Sequence, residues 1–76
     1  MPLIKQAIHE NDVVELLDAV NKTQEDGQWP AGTRGTVVNE VGEHKLIEIS
    51  DDEHYGQMLD LVSVTEDRLK LITKYS

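Results

Sequence analysis

The sequence predicts a small, mostly β protein in which five short strands curl into a barrel. Short aliphatic runs alternate with turn-forming residues along most of the chain, which is typical of strands joined by tight connections. Near its middle, a stretch with one proline and two glycines, which favours a turn, leads directly into a β-branched run. A chain of 76 residues also buries only about 60% of its surface, too little for two packed sheets. Closing one sheet into a barrel would remove its exposed edges.

The stretch from Trp29 to Val38 is the centre of this prediction. Pro30 fixes φ at about −65°, and Gly32 tolerates a positive φ, so residues 30–33 are expected to form a tight turn. Gly35 then permits a close backbone approach or a sharp bend. The β-branched run at residues 36–38 that follows favours a strand.

The remaining elements follow from periodicity and turn chemistry. Apolar residues at Leu3, Ile4, Ala7 and Ile8 lie on one face of a short helical segment over residues 2–10. A 3₁₀ turn is expected at Thr65-Glu66-Asp67, and residues 21–28, which contain no aliphatic side chain, are expected to form a long polar loop. Strands are predicted over residues 13–17, 36–41, 45–50, 55–64 and 68–72, the fourth with a bulge.

The chain divides into an N-terminal segment (1–11), a barrel (12–72) and a short tail (73–76). It contains no cysteine, which fits a reducing cytoplasm. No apolar run approaches the roughly 20 residues of a membrane span. The N-terminus lacks the apolar core and cleavage site of a signal peptide. We therefore expect a cytoplasmic protein.

The charge balance restricts the class of partner. Fifteen acidic and seven basic residues give a formal net charge of −8. Nucleic acids and anionic membranes both require a basic surface, so neither is expected as a partner. A basic protein is the partner that this charge favours. The alternative is that the acids simply form a solvated surface.

Four short motifs carry a resemblance to a known family. They are Asp12-Val13-Val14, Gly32-Thr33-Arg34-Gly35-Thr36-Val37-Val38, Ile47-Glu48-Ile49 and Val64-Thr65-Glu66-Asp67-Arg68-Leu69. Over residues 12–72 the chain resembles a small uncharacterised bacterial domain family with an SH3-like barrel and a Gly-x-x-Gly-Thr-Val-Val motif. The resemblance implies a fold and no chemistry, and the chain departs from it at residues 21–29 and at Tyr55-Gly56.

The sequence offers little support for catalysis or for metal binding. His9 and His54 lie beside carboxylates, but the three histidines, which include His44, lack the spacing of a metal site. None of the serines lies in a nucleophile-elbow motif. A small barrel also has a filled interior, with no pocket to shift the pKa of an acid. We therefore expect no enzymatic activity, no metal and no cofactor.

Trp29 is the only tryptophan and has two interpretations. At the end of a polar loop it would suit a binding hot spot. Alternatively it caps the core, which the scarcity of aromatic residues favours. Tyr55 and Tyr75 would line the same groove in the binding interpretation. The candidate partner-binding residues are Trp29, Glu25, Asp26, Asp51, Asp52 and Tyr55.

These observations predict a non-enzymatic protein-interaction module that binds its partner through residues 21–30 and the neighbouring acidic turns. An antitoxin-like or immunity-like inhibitor of a basic protein is one form of this hypothesis. The alternative is a structural homo-oligomer or an accessory subunit of a larger enzyme. Its expected sign is an exposed apolar patch at Leu3, Ile4 and Ile8, or an open strand edge.

Overall fold

The computed structural model describes residues 8–51 and 57–74. The chain is mostly β, as predicted. A 3₁₀ turn at Glu66–Arg68 precedes the last strand, close to its expected position, although the hydroxyl of Thr65 makes no capping hydrogen bond. The strands are β1 (Val13–Leu16), β2 (Val20–Asn21), β3 (Gln28–Trp29), β4 (Arg34–Val41), β5 (His44–Asp51), β6 (Gln57–Thr65) and β7 (Leu69–Thr73).

Five strands form one antiparallel sheet in the order β6-β5-β4-β1-β7, and β2 and β3 form a separate two-stranded sheet. The predicted closed barrel is therefore wrong, because β6 and β7 lie at opposite edges of an open sheet. The physical reason lies in the segment between β1 and β4. Its β2 strand packs against β6 but pairs with β3 in a separate sheet, so among the described strands none bridges β6 and β7.

Gly35 allows two strands to approach each other closely, as the sequence predicted. A Cβ atom at this position would lie 2.5 Å from Ile47 Cγ2 and 2.7 Å from the carbonyl oxygen of Glu48. Such separations are far shorter than van der Waals contact, so only glycine fits without a shift of the neighbouring strand. The preceding turn also forms as expected, with Gly32 at φ +91° and Thr33 N donating to Pro30 O at 3.2 Å.

The core takes residues from all five strands of the main sheet and also includes Ile8. Alternation along each strand places its members on one face. Trp29, Val20 and Leu71 pack against this core and are only partly buried. The buried apolar residues are Ile8, Val14, Leu16, Val37, Ile47, Ile49, Val62, Val64 and Leu69.

The predicted helix over residues 2–10 is not present in its described part, residues 8–10, while residues 1–7 lie outside the described ranges. A turn replaces it: Asp12 N donates to His9 O at 3.2 Å, and Asn11 adopts a φ of +74°. The buried carboxylate of Asp12 accepts a hydrogen bond from His9 N at 2.9 Å. This turn directs Ile8 into the core, so Ile8 forms no exposed apolar patch.

Within the described residues, no helix has the length and apolar character that crossing a membrane would require.

Candidate functional site

The polar segment 21–28 is a short β-hairpin and not the irregular loop that its composition suggested. Val20 pairs with Trp29 and Asn21 with Gln28. Lys22 N donates to Gly27 O at 3.0 Å and closes the hairpin. Two paired residues on each strand hold such a hairpin only weakly, so contacts with the rest of the molecule must fix it in place.

Asp60 supplies those contacts from the β6 strand. The residue is 2% exposed, and its carboxylate accepts hydrogen bonds from Thr23 N at 3.0 Å, from Trp29 Nε1 at 2.9 Å and from Leu61 N at 2.8 Å. The hydroxyl of Thr23 donates a further hydrogen bond to it. A buried carboxylate with this many donors is stable in its charged form. Asp60 therefore joins the hairpin to the edge of the main sheet.

The same contacts explain how Asp60 titrates. Burial by itself would raise the pKa of Asp60, because it disfavours the charged form. The hydrogen bonds from Thr23, Trp29 and Leu61 outweigh burial and lower this pKa from 3.8 to about 2. The group is consequently ionised throughout the physiological range, which does not suit a general acid or base at neutral pH.

Trp29 is held in the structure from several sides. Its indole N–H is bound to Asp60, and its ring packs against the core. The ammonium of Lys22 lies 4.6 Å from the ring centroid, within the range of a cation–π interaction. Lys22 Nζ also lies 3.6 Å from Glu25 Oε1. These contacts agree with the core-capping interpretation of Trp29.

An open groove of about 410 Å³ lies between the hairpin, β6 and the 3₁₀ turn. Its cation is Arg68, whose Nη2 lies 2.8 Å from Asp18 Oδ1 and donates to Ala19 O at 3.1 Å. The walls are otherwise uncharged and mostly polar, which suits hydrogen bonding more than burial of a large apolar group. The lining residues are Ala19, Val20, Asn21, Thr23, Gln28, Ser63 and Arg68.

The β6 strand forms one edge of the main sheet and exposes apolar side chains. Met58, Leu59 and Leu61 are 49%, 41% and 38% exposed. The strand carries a bulge near its start, where the pairing register shifts opposite Ile49 and Ser50, as the sequence predicted. Exposed lysine and proline are two of the features that protect natural edge strands from pairing, and β6 has neither, although its bulge and its buried Asp60 are protective features of other kinds.

A second charged cluster lies on β4 and β5. Lys45 is buried and donates to Glu40 Oε1 at 2.7 Å, and His9 Nδ1 lies 3.3 Å from the same oxygen. The Lys45 hydrogen bond lowers the pKa of Glu40 below its usual value. This cluster links the N-terminal turn to the sheet. In residues 8–51 and 57–74, no group of three His, Cys, Asp or Glu side chains is placed to hold a metal ion.

The structure brings only some of the predicted site residues together. Glu25 and Asp26 are exposed near the tip of the hairpin that contains Trp29. Asp52 and Tyr55, and the side chain of Asp51, lie outside the described residues.

Sequence reasoning missed Asp60, Ser63 and Arg68. For Asp60 a signal existed, since it is the only charged residue in the apolar run from Met58 to Val64, and an acid in such a run requires buried partners.

Comparisons of the chain with models of protein families, with curated proteins and with solved structures find no match.

Proposed function

We propose that this chain is a non-enzymatic protein-interaction module and that its partner binds along the β6 edge. The observation that carries the proposal is the exposure of Met58, Leu59 and Leu61 on one edge strand. Exposed apolar residues that cluster, as opposed to scattered ones, mark interaction surfaces. The open groove beside the same strand adds polar groups next to this apolar cluster.

A basic protein is the proposed partner, in the manner of an antitoxin-like or immunity-like inhibitor. The net charge of −8 supports attraction of a basic surface, chiefly through a faster and salt-dependent association. Glu25 and Asp26 on the hairpin are exposed and lie on the element that borders the groove. Trp29 then acts as the anchor of this hairpin and not as a contact residue.

The strand order supports an SH3-like relationship. The chain runs through β1, then the β2–β3 hairpin, then the β4-β5-β6 meander and a 3₁₀ turn, and returns as β7 beside β1. An SH3-like barrel is the fold that the Gly-x-x-Gly-Thr-Val-Val resemblance implies. We propose an open variant of that fold, and we propose the cytoplasm as its place of action.

Affinity capture from the native lysate tests this function. We expect a basic protein to bind the immobilised chain and to elute as the salt concentration rises. A double variant with Leu59→Ser and Leu61→Ser should lose the partner. The control Val41→Ser, which removes an apolar side chain that is 60% exposed on β4, should keep it. No bound protein, or equal capture by the double variant, would contradict the proposal.

Self-association is the second candidate, and the two open edges of the main sheet favour it. A homo-oligomer, or an accessory subunit docked on a larger enzyme, would cover β6 or β7 by strand pairing. Sedimentation at increasing protein concentration separates the two candidates. A dimer whose formation is blocked by the Leu59→Ser and Leu61→Ser substitutions would favour self-association, and a strict monomer would exclude it.

A further inference from the structure

We propose that the groove between β6 and the β2–β3 hairpin takes an extended, lysine- or arginine-containing segment of the partner, which pairs with the backbone of Ser63 as an additional strand. This inference rests on the proposed interaction function, because it names the mode by which the partner binds. It assigns recognition to backbone hydrogen bonds, and side chains of the groove add selectivity.

The backbone N–H of Leu61 is directed away from β5. In an antiparallel pair, successive residues direct their N–H and C=O alternately towards the partner strand and away from it. Leu61 N donates to Asp60 Oδ1 at 2.8 Å, so it is not directed at β5. By alternation, the N–H and C=O groups of Ser63 also point away from β5, towards the outer edge.

The β4–β5 hairpin gives the same result independently. Val41 and His44 are paired across its two-residue turn, and the residues that flank such a turn exchange hydrogen bonds with each other. The backbone of His44 is therefore directed at β4. Its other neighbour, Thr65 on β6, must direct its own N–H outward, and so must Ser63, two residues earlier.

Ser63 lines the groove, and its hydroxyl lies 3.3 Å from His44 Nδ1, so we expect its outward backbone groups to be accessible from the groove. Among the described residues, none forms a backbone hydrogen bond with Ser63 on this side. The groove, at about 410 Å³, falls within the usual range of about 300–1,000 Å³ for ligand sites. Asn21 and Gln28 line the groove, where Gln28 Nε2 donates to Asn21 Oδ1 at 3.0 Å, and the remaining donors and acceptors of the two amides suit the polar groups of a peptide.

The charged residues around the groove favour a basic segment as its occupant. Arg68 is neutralised by Asp18 at 2.8 Å, and Lys22 lies beside Glu25 at 3.6 Å. The same elements add the exposed acids Asp26 and Asp67 without further cations. Lining strand β6 contributes no exposed charge, since Asp60 is buried. A basic segment is attracted here, whereas a second copy of a chain with a net charge of −8 is repelled.

The test uses a synthetic probe and the amide of Ser63. The probe is the capped hexapeptide Lys-Val-Lys-Val-Lys-Val. Two control peptides replace every lysine by glutamate or every valine by proline, the latter keeping the charge but losing alternate N–H donors. Amide hydrogen exchange of Ser63 is followed by NMR. In the free protein it should be much faster than exchange of Val62 and Val64, which bond to β5.

We expect the lysine–valine probe to slow Ser63 exchange by about tenfold when nine-tenths of the protein is bound, because only the free fraction exchanges. Neither control peptide should do so. Ser63→Pro removes the outward N–H at an edge position that tolerates proline and should weaken binding by about tenfold. Ser63→Ala keeps the N–H and should bind like the wild type.

Several outcomes would overturn the inference: no slowing at Ser63, equal slowing by the glutamate peptide, slowing that grows with protein concentration alone, or equal probe binding by both Ser63 variants. If Ser63→Pro fails to fold, the exchange data on the wild-type protein still show whether the probe pairs with the backbone of Ser63. A captured partner that leaves Ser63 exchange unchanged would keep the interaction function and remove only this binding mode.

Discussion

Asp60 holds the β2–β3 hairpin on the sheet, so replacing it should reveal how much this contact stabilises the fold. Asp60→Asn keeps the shape of the side chain but converts one oxygen into an NH₂ group. Oδ2 accepts from Thr23 N and Trp29 Nε1. Because these N–H groups can only donate, the amide oxygen of the asparagine must occupy this position. The NH₂ group then replaces Oδ1, which accepts hydrogen bonds from the Thr23 hydroxyl and from Leu61 N in the wild type. The Thr23 hydroxyl can rotate and accept a hydrogen bond from the new NH₂ group, but Leu61 N is left without an acceptor.

The number of N–H groups that lose their acceptor determines how much the free energy of unfolding falls. One shielded N–H without a partner costs about 1–3 kcal/mol, so Asp60→Asn should lower the free energy of unfolding by that amount. Asp60→Ala leaves the N–H groups of Thr23, Trp29 and Leu61 without an acceptor. It should cost roughly 3 kcal/mol or more. A domain of this size has a total stability of only about 4–11 kcal/mol, so the alanine variant should be close to unfolding.

The pKa of Asp60 adds a signature in acid. Its folded pKa of about 2 lies below its ordinary value of 3.8. The ionised group therefore stabilises the fold fully above the ordinary value, and this stabilisation is lost as the pH falls through the folded pKa. This difference in pKa corresponds to about 2 kcal/mol in the free energy of unfolding. The wild type should lose this amount between about pH 5 and pH 2, and Asp60→Asn should not.

Urea unfolding followed by the fluorescence of Trp29, the only tryptophan, and by circular dichroism measures these effects. Asp26→Asn is the matched control, because it removes the same charge from an exposed position of the same hairpin. It should change stability by less than about 0.5 kcal/mol. Asp60 does not stabilise the fold in this way if Asp60→Asn is no less stable than this control, or if the difference in stability between the two variants does not shrink as the pH is lowered.

Three further predictions concern other parts of the fold. Gly35→Ala should destabilise the protein by about 1–3 kcal/mol, because the added Cβ would overlap Ile47 and the backbone of Glu48; an unchanged urea midpoint would contradict this. Lys45→Met should raise the pKa of Glu40, measured by NMR titration, since the Lys45 hydrogen bond is the main cause of its lowering; an unchanged pKa would show that another group lowers it.

Leu61→Lys completes this set. It should reduce stability by no more than about 0.5 kcal/mol because Leu61 is already 38% exposed, while it abolishes partner capture. Retained capture would argue against β6 as the binding edge.

The sequence by itself determined the local parts of the fold. The turn at Gly32 and the short turn before β7 depend on which backbone angles a few adjacent residues tolerate, and the close approach at Gly35 depends on its missing side chain. Alternation of side chains likewise identified the long strands, because its period of two is a property of each strand alone.

Only the tertiary structure decided where the polar segment lies and whether the sheet closes. The bond between Trp29 and Asp60 spans 31 positions of the chain, and that between Thr23 and Asp60 spans 37. No local propensity encodes such a pairing. A single acid in the apolar β6 strand indicated that a buried partner was needed, but not which donors would supply it. Those donors came from a segment that composition marked as a loop, and their contacts with Asp60 fix the hairpin beside β6, so the sheet remains open.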